Sequence, residues 1–237
     1  MHLRFLTTLF LLALVVAPAT QAQEFSLGSD VYSRYIWRGH DFGESTSVQP
    51  ALAFSIGGLE IGTWASYSIS ADGAGAGAGA GEHDLWASYS VETATAGSFS
   101  VGVTDYYFPA PDGLGFFEFD GDGEGAHWIE PFVSYTGPKS LPISLSAAFF
   151  AHNDPDNSAY LQASIPFSTE GTDLAFTVGA VTGESGFYGT DGFAVVNLGL
   201  SASKEIELTD KFSIPVSVSY ILNPETERTF LVFGISF

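Results

Sequence analysis

The stretch Asp120-Gly121-Asp122-Gly123-Glu124-Gly125 carries three carboxylates at alternate positions, the spacing with which an EF-hand loop opens its oxygen cage for calcium. Such a loop closes with a glutamate at its twelfth position, and Pro131 stands there. The stretch therefore reads first as a flexible acidic loop, and Asp120, Asp122 and Glu124 are weak metal candidates. Four histidines, His40, His83, His127 and His152, fall near the same ends of successive apolar segments. A lipid-cleaving site in a membrane barrel would put its base there, but polar rim residues also sit there, and no serine is paired with any of them by a motif. We expect no enzyme and no cofactor. The Gly and Ala repeat from Gly73 to Gly81 lacks the Lys and Ser of a phosphate cradle and reads as low-complexity linker. With no cysteine in the chain, disulfides, thiolate chemistry and lipoprotein acylation are all excluded.

The charged residues set a second pattern. Of 27 acids, sixteen fall in the spans 39–45, 70–84, 109–126, 152–157, 183–192 and 223–228, where the one Lys or Arg is Arg228. One face of the molecule should carry a strong negative potential, which argues against nucleic acid or other polyanions as partners. Solubility of exposed loops and attraction of cations both account for it. A smaller set shares the parity of polar positions within its segments: Arg34, Arg38 and Glu130 toward the acidic end, Glu60 and Glu92 toward the other. These candidates could pair with one another and brace a plug, or line a constriction.

The elements that position these groups alternate with period two. In Lys211 to Leu222, Phe212, Ile214, Val216, Val218, Tyr220 and Leu222 fall on one face, and Ser213, Pro215, Ser217 and Ser219 on the other. That is a strand signature. Twelve such segments are predicted, at 25–38, 46–56, 59–69, 83–92, 98–108, 127–136, 141–151, 158–167, 173–182, 192–203, 211–222 and 228–237. Connections alternate short (57–58, 93–97, 137–140) with long (70–82, 109–126, 183–191), an alternation that weakens later, where 204–210 is not tight and 152–157 and 223–227 are only moderate.

Aromatics make up 15% of the chain and mean hydropathy is +0.21, so much apolar surface must be hidden from water. A sandwich would bury it in a core, whereas a barrel turns it to lipid and keeps Ser, Gly and Thr for a hydrated lumen. The small polar second face decides for an all-β, transmembrane, antiparallel up-and-down barrel of about twelve strands. Phe212 and Tyr220 are eight residues apart, about 20 Å along the membrane normal after tilt, which suits two interfacial girdles. Asp105 shares the lipid-facing parity of Phe99, Val101 and Val103, so a bulge is expected there, or a strand already clear of the membrane.

Met1 to Arg4 followed by the apolar run Phe5 to Val16 reads as a signal peptide, with cleavage after Ala22 and one mature domain over 23–237. The run is too short for the roughly 20 residues of a spanning helix. At the other end Leu231, Phe233, Ile235 and Phe237 repeat every second residue, the form of an outer-membrane assembly signal. The expected location is the bacterial outer membrane, with its lipid and the barrel assembly machinery as partners.

Two stretches, Ser29-Asp30-Val31-Tyr32-Ser33-Arg34-Tyr35-Ile36-Trp37-Arg38-Gly39 with Val48-Gln49-Pro50, and Glu82-His83-Asp84-Leu85-Trp86-Ala87-Ser88-Tyr89, resemble the TorF-like porins, as does Thr104-Asp105-Tyr106-Tyr107-Phe108-Pro109. The resemblance implies an outer-membrane barrel that acts as a porin and brings no catalytic residue. Passive passage of small solutes is the expected function. A closed barrel with a surface, adhesion or structural role and a lipid-modifying enzyme are the alternatives.

Overall fold

The computed structural model describes residues 23–43, 45–70, 81–109 and 114–237. The signal-peptide reading and nearly all of the Gly and Ala repeat lie outside them, as do three acids of the acidic spans, Glu44, Asp72 and Asp112. In chain order the strands are β1 Glu24–Tyr32, β2 Ile36–Trp37, β3 His40–Asp41, β4 Ser47–Ile56, β5 Leu59–Ser68, β6 Gly81–Thr93, β7 Gly97–Tyr107 and β8 His127–Thr136. They continue with β9 Ser144–Phe149, β10 Ala159–Thr169, β11 Thr172–Val181, β12 Glu184–Ser185, β13 Thr190–Asp191, β14 Ala194–Thr209, β15 Phe212–Asn223 and β16 Arg228–Ser236.

Twelve of these strands close an antiparallel barrel in which each pairs with its neighbours in the chain, and β1 meets both β4 and β16. Closure removes every free strand edge. The four shortest, β2 with β3 and β12 with β13, make two small hairpins outside the wall. Connections at one end are 57–58, 94–96, 137–143, 170–171 and 210–211, and at the other 33–46, 69–80, 108–126, 150–158, 182–193 and 224–227. The longest connections gather at one end, as the sequence suggests, although 224–227 at that end is shorter than 137–143 at the other.

Cross-strand register fixes which face each residue takes. Leu27 lies opposite Leu52, Phe54 opposite Ile61, Leu161 opposite Ala180 and Leu200 opposite Tyr220, all on the outer surface. Phe25, Leu27 and Leu231 are 74%, 82% and 72% exposed there, so the apolar face is uncovered rather than packed on a second sheet. The eleven residues of β7, at about 3.3 Å rise and a tilt of about 40°, span roughly 28 Å, the thickness of an outward apolar band. Inward positions are small or flattened. Gly62 lies beneath the indole of Trp86 from the neighbouring strand, so close that a Cβ there would strike the ring. A lumen that must accept an indole against its wall therefore needs glycine opposite it.

Three departures from the sequence reading have physical causes. β1 ends at Tyr32 instead of running to Arg38, because Tyr35 and Trp37 are drawn inward to bury their rings and the chain turns through Arg38 (φ 48°) and Gly39 (φ 81°). β14 extends to Thr209 through an irregularity between Glu207 and Thr209, which leaves only 210–211 as the turn. Asp105 pairs in regular register with Leu85 and Ile129, with no bulge. It faces outward and its charge is met by His127, whose Nδ1 lies 3.0 Å from both carboxylate oxygens. The Nε2 of the same ring lies 2.7 Å from the Phe116 carbonyl, so the connection 108–126 folds back over this pair. Both ring nitrogens thus face acceptor oxygens, one on the wall and one in the connection.

Candidate functional site

Where the long connections gather, the barrel mouth is filled. Tyr106, Phe150, Tyr160, Val181, Tyr188, Ala194 and Val196 form a buried cluster, with Trp37, Trp128 and Phe187 packed on it. The connection 33–46 supplies the centre. Gly39 sits against the Val196 carbonyl, where a Cβ would collide with backbone, and its own carbonyl accepts from Asn223 Nδ2 at 3.2 Å. Its left-handed φ is open to glycine at little cost. That turn aims the preceding side chain, Arg38, across the mouth.

The Arg38 guanidinium donates to both oxygens of Glu130 on β8, at 2.6 and 2.8 Å, and to the Tyr188 hydroxyl at 2.7 Å. Its planar face lies 4.2 Å from the Trp37 ring centre and 4.4 Å from that of Tyr160. Glu130 also accepts the Tyr106 hydroxyl at 2.9 Å. A bidentate pair with stacked aromatics is the geometry that arginine offers and lysine does not. Burial opposes the charge on Arg38, but the contacts with Tyr188 and Glu130 outweigh it and raise the guanidinium pKa above its ordinary value. Burial also holds the Tyr188 hydroxyl above the usual tyrosine range, against the lowering pull of Arg38. His40 adds a strap, its ring nitrogens each 3.2 Å from a carbonyl, those of Arg38 and Tyr188. The arrangement is an electrostatic latch: one loop arginine ties 33–46 to the opposite wall and to 182–193.

Of the candidates from the sequence, Arg38 and Glu130 are brought together across 92 positions. Arg34 is elsewhere, 3.2 Å from Asp41. Glu60 is at the opposite end, accepting the Trp86 indole N–H at 3.0 Å, and Glu92 is exposed on the same rim. Leu231, Phe233 and Phe237 face outward, and Phe237 closes the seam through paired backbone bonds with Ser29. Ile235 stands in that seam opposite Val31. Asp120, Asp122 and Glu124 are exposed, and the backbone beside them is held by Asn153 Oδ1, which accepts from the N–H groups of Gly123 and Gly125. Among the described residues no three His, Asp or Glu side chains are placed to hold a metal ion. The sequence reading missed Trp37, Tyr106, Tyr160, Tyr188 and Asn223, and two acids assigned to a loop, Glu82 and Asp84. Both of these are buried in the wall, facing the lumen from β6.

Among solved structures, OprB of Pseudomonas putida, determined at high pH, is similar over 81% of this chain at 13% identity and a TM-score of 0.32, and the match spans 58% of that chain. No curated protein matches. The model of one bacterial family of unknown function, Gcw_chp, matches residues 16–225, and the chain belongs to that family.

Proposed function

We propose that this barrel resides in the bacterial outer membrane and passes small solutes, with the latched turn Trp37 to His40 as its constriction. The observation that carries the proposal is the division of faces. Leu, Val and Phe side chains stand uncovered around the outside while Ser, Gly and Thr line much of the inside. In water such a surface would be far larger than the few hundred Å² of apolar patch a soluble monomer shows, whereas in lipid it is the stable arrangement. The resemblance to TorF-like porins and the export and assembly signals read from the two ends support the same destination, reached by way of the barrel assembly machinery. The acids of the long connections would concentrate cations at the mouth.

A second reading has its own observation. The Arg38–Glu130 latch closes the mouth centrally, as a barrel with a structural or adhesive role would need. Planar-bilayer recording of the refolded protein separates the two. Steps of conductance, with a reversal potential under a salt gradient that marks cation preference, support the channel. Silence of both the wild type and Arg38→Ala supports the closed barrel, and silence with lipid hydrolysis would point to an enzyme. Added salt should weaken the cation preference, because the exposed loop charges are screened within about 10 Å at 0.1 M.

A further inference from the structure

Beside the latch lies a cavity of about 400 Å³ between the connection 33–46 and the wall of β5 and β6. Its walls include Tyr35, Phe42, Phe108, Trp128 and Phe187, with the Glu82 carboxylate and that of Asp41, which is paired with Arg34, among them. The rings form a continuous surface: Tyr35 and Phe42 are 5.7 Å apart, Phe42 and Phe187 6.2 Å, and Phe187 and Trp128 5.1 Å. Two residues on, along the same lumen-facing side of β6, comes Asp84.

We propose that this cavity binds an organic cation, an alkylammonium group held by Glu82 and the aromatic walls, with Asp84 adding to the field. Glu82 and Asp84 are 7% and 8% exposed. Among the described residues no Lys, Arg or His comes within ion-pair distance of either. Glu82 accepts the Tyr35 hydroxyl at 3.2 Å, and its carboxyl group lies within hydrogen-bonding reach of that of Asp84. Carboxylates so far removed from water must either take up protons or meet a cation, and a cation bound at Glu82 supplies the second route. The nearest arginines are engaged, Arg34 with Asp41 and Arg38 with Glu130.

The walls decide which cation. A bare metal ion needs several oxygen ligands, and among the described residues no three carboxylate or histidine side chains converge here. Five aromatic rings suit instead a polarisable, weakly hydrated ammonium, which gains from ring faces and from a single carboxylate. A volume of about 400 Å³ falls in the range of small-molecule pockets and greatly exceeds one ion.

This inference rests on the solute-pathway reading for its biological meaning, but its test needs no conduction. Tetramethylammonium chloride is titrated into the refolded full-length barrel in detergent micelles by calorimetry, with sodium chloride and tert-butanol as charged and neutral comparisons. Saturable heat from tetramethylammonium alone is expected, with binding weakened about tenfold or more in Glu82→Gln, which keeps an acceptor for Tyr35. Equal binding of sodium or tert-butanol, or unchanged affinity in Glu82→Gln, overturns the proposal. If Glu82→Gln fails to fold, the comparison of ligands on the wild type decides by itself, and Asp84→Asn provides a second variant. Conduction without ammonium binding refutes the site and leaves the channel. Ammonium binding without conduction does the reverse.

Discussion

Arg38→Ala should unlatch the mouth without unfolding the barrel. The Arg38 side chain is 15% exposed and Glu130 2%, so truncating the arginine strands a carboxylate in the interior. Removing one partner of such a buried pair costs about 3–5 kcal/mol. At 1.4 kcal/mol per tenfold, that shifts the balance between latched and released states by roughly a hundredfold to several thousandfold. The strand ladders are untouched, since none of the wall pairings passes through Arg38. Hydrogen exchange read on a peptide covering 33–46 should rise by two orders of magnitude or more, led by the Phe42 amide that bonds the Tyr35 carbonyl. The barrel's resistance to detergent until heated should persist, and open-channel occupancy in bilayers should increase.

The double variant Arg38→Ala with Glu130→Ala separates the latch from mere packing. Removing the stranded charge as well should recover part of the loss, so the two changes should be less than additive. Full additivity, or an Arg38→Ala protein in which 33–46 exchanges as slowly as in the wild type, would refute the assignment of Arg38 as the latch.

Gly39→Ala should release the same loop, since its φ of 81° and its contact with the Val196 carbonyl leave no room for a methyl, and exchange across 33–46 would show it; Gly189→Ala, with φ 65° and open space around it, should have the milder effect. His127→Ala removes the ring that bridges Asp105 and the Phe116 carbonyl, so exchange should rise across 114–126 while 33–46 remains protected. Phe237→Ala should lower the yield of assembled barrel far more than its heat resistance, because one exposed aromatic is worth on the order of 2 kcal/mol while an assembly signal acts on the unfolded chain. Phe212→Ala, also outward and 54% exposed, is the control, and equal yields from the two would show Phe237 to be an ordinary surface aromatic.

The wall was legible in the sequence because a strand writes its two faces in alternate residues, and a barrel needs little else. Parity also put Arg38 and Glu130 on the inner side of the same end, with mutual pairing among the alternatives. Parity stops where strands stop. Tyr188 lies in a connection, which has no period, so nothing in the sequence joined it to Arg38, and Trp37, next to Arg38 in a segment read as strand, had the outward parity there. The lone Gly39 after Trp37-Arg38 was the available sign of a left-handed turn, yet its meaning depends on the Val196 backbone beyond it. Glu82 fell one residue before the predicted start of β6, where a Gly and Ala repeat blurs the boundary, and Asp84, inside the predicted strand, was counted among the loop acids. Asp105 shows the converse: its outward parity was read correctly, and its partner His127 came from a diagonal position on the neighbouring strand, held from its other side by a loop folded back over it.

The choice of an ion pair for the latch bears on whether the mouth opens. A plug meant to stay shut would gain as much from aliphatic packing, since desolvating two charges offsets much of their attraction. Apolar groups forced apart into a hydrated lumen have nothing to gain there, whereas a separated guanidinium and carboxylate recover their hydration. The transition from closed to open is thus cheaper through Arg38 and Glu130 than through an apolar seal of equal strength. The wall supports that economy, because Gln162 and Asn197 lie within the same polar network around Tyr160, its hydroxyl donating to Gln162 at 2.9 Å and accepting from Asn197 at 3.3 Å. Under the channel proposal these wall groups offer acceptors to the guanidinium once it leaves Glu130, which is what a reversible constriction requires and a permanent plug does not.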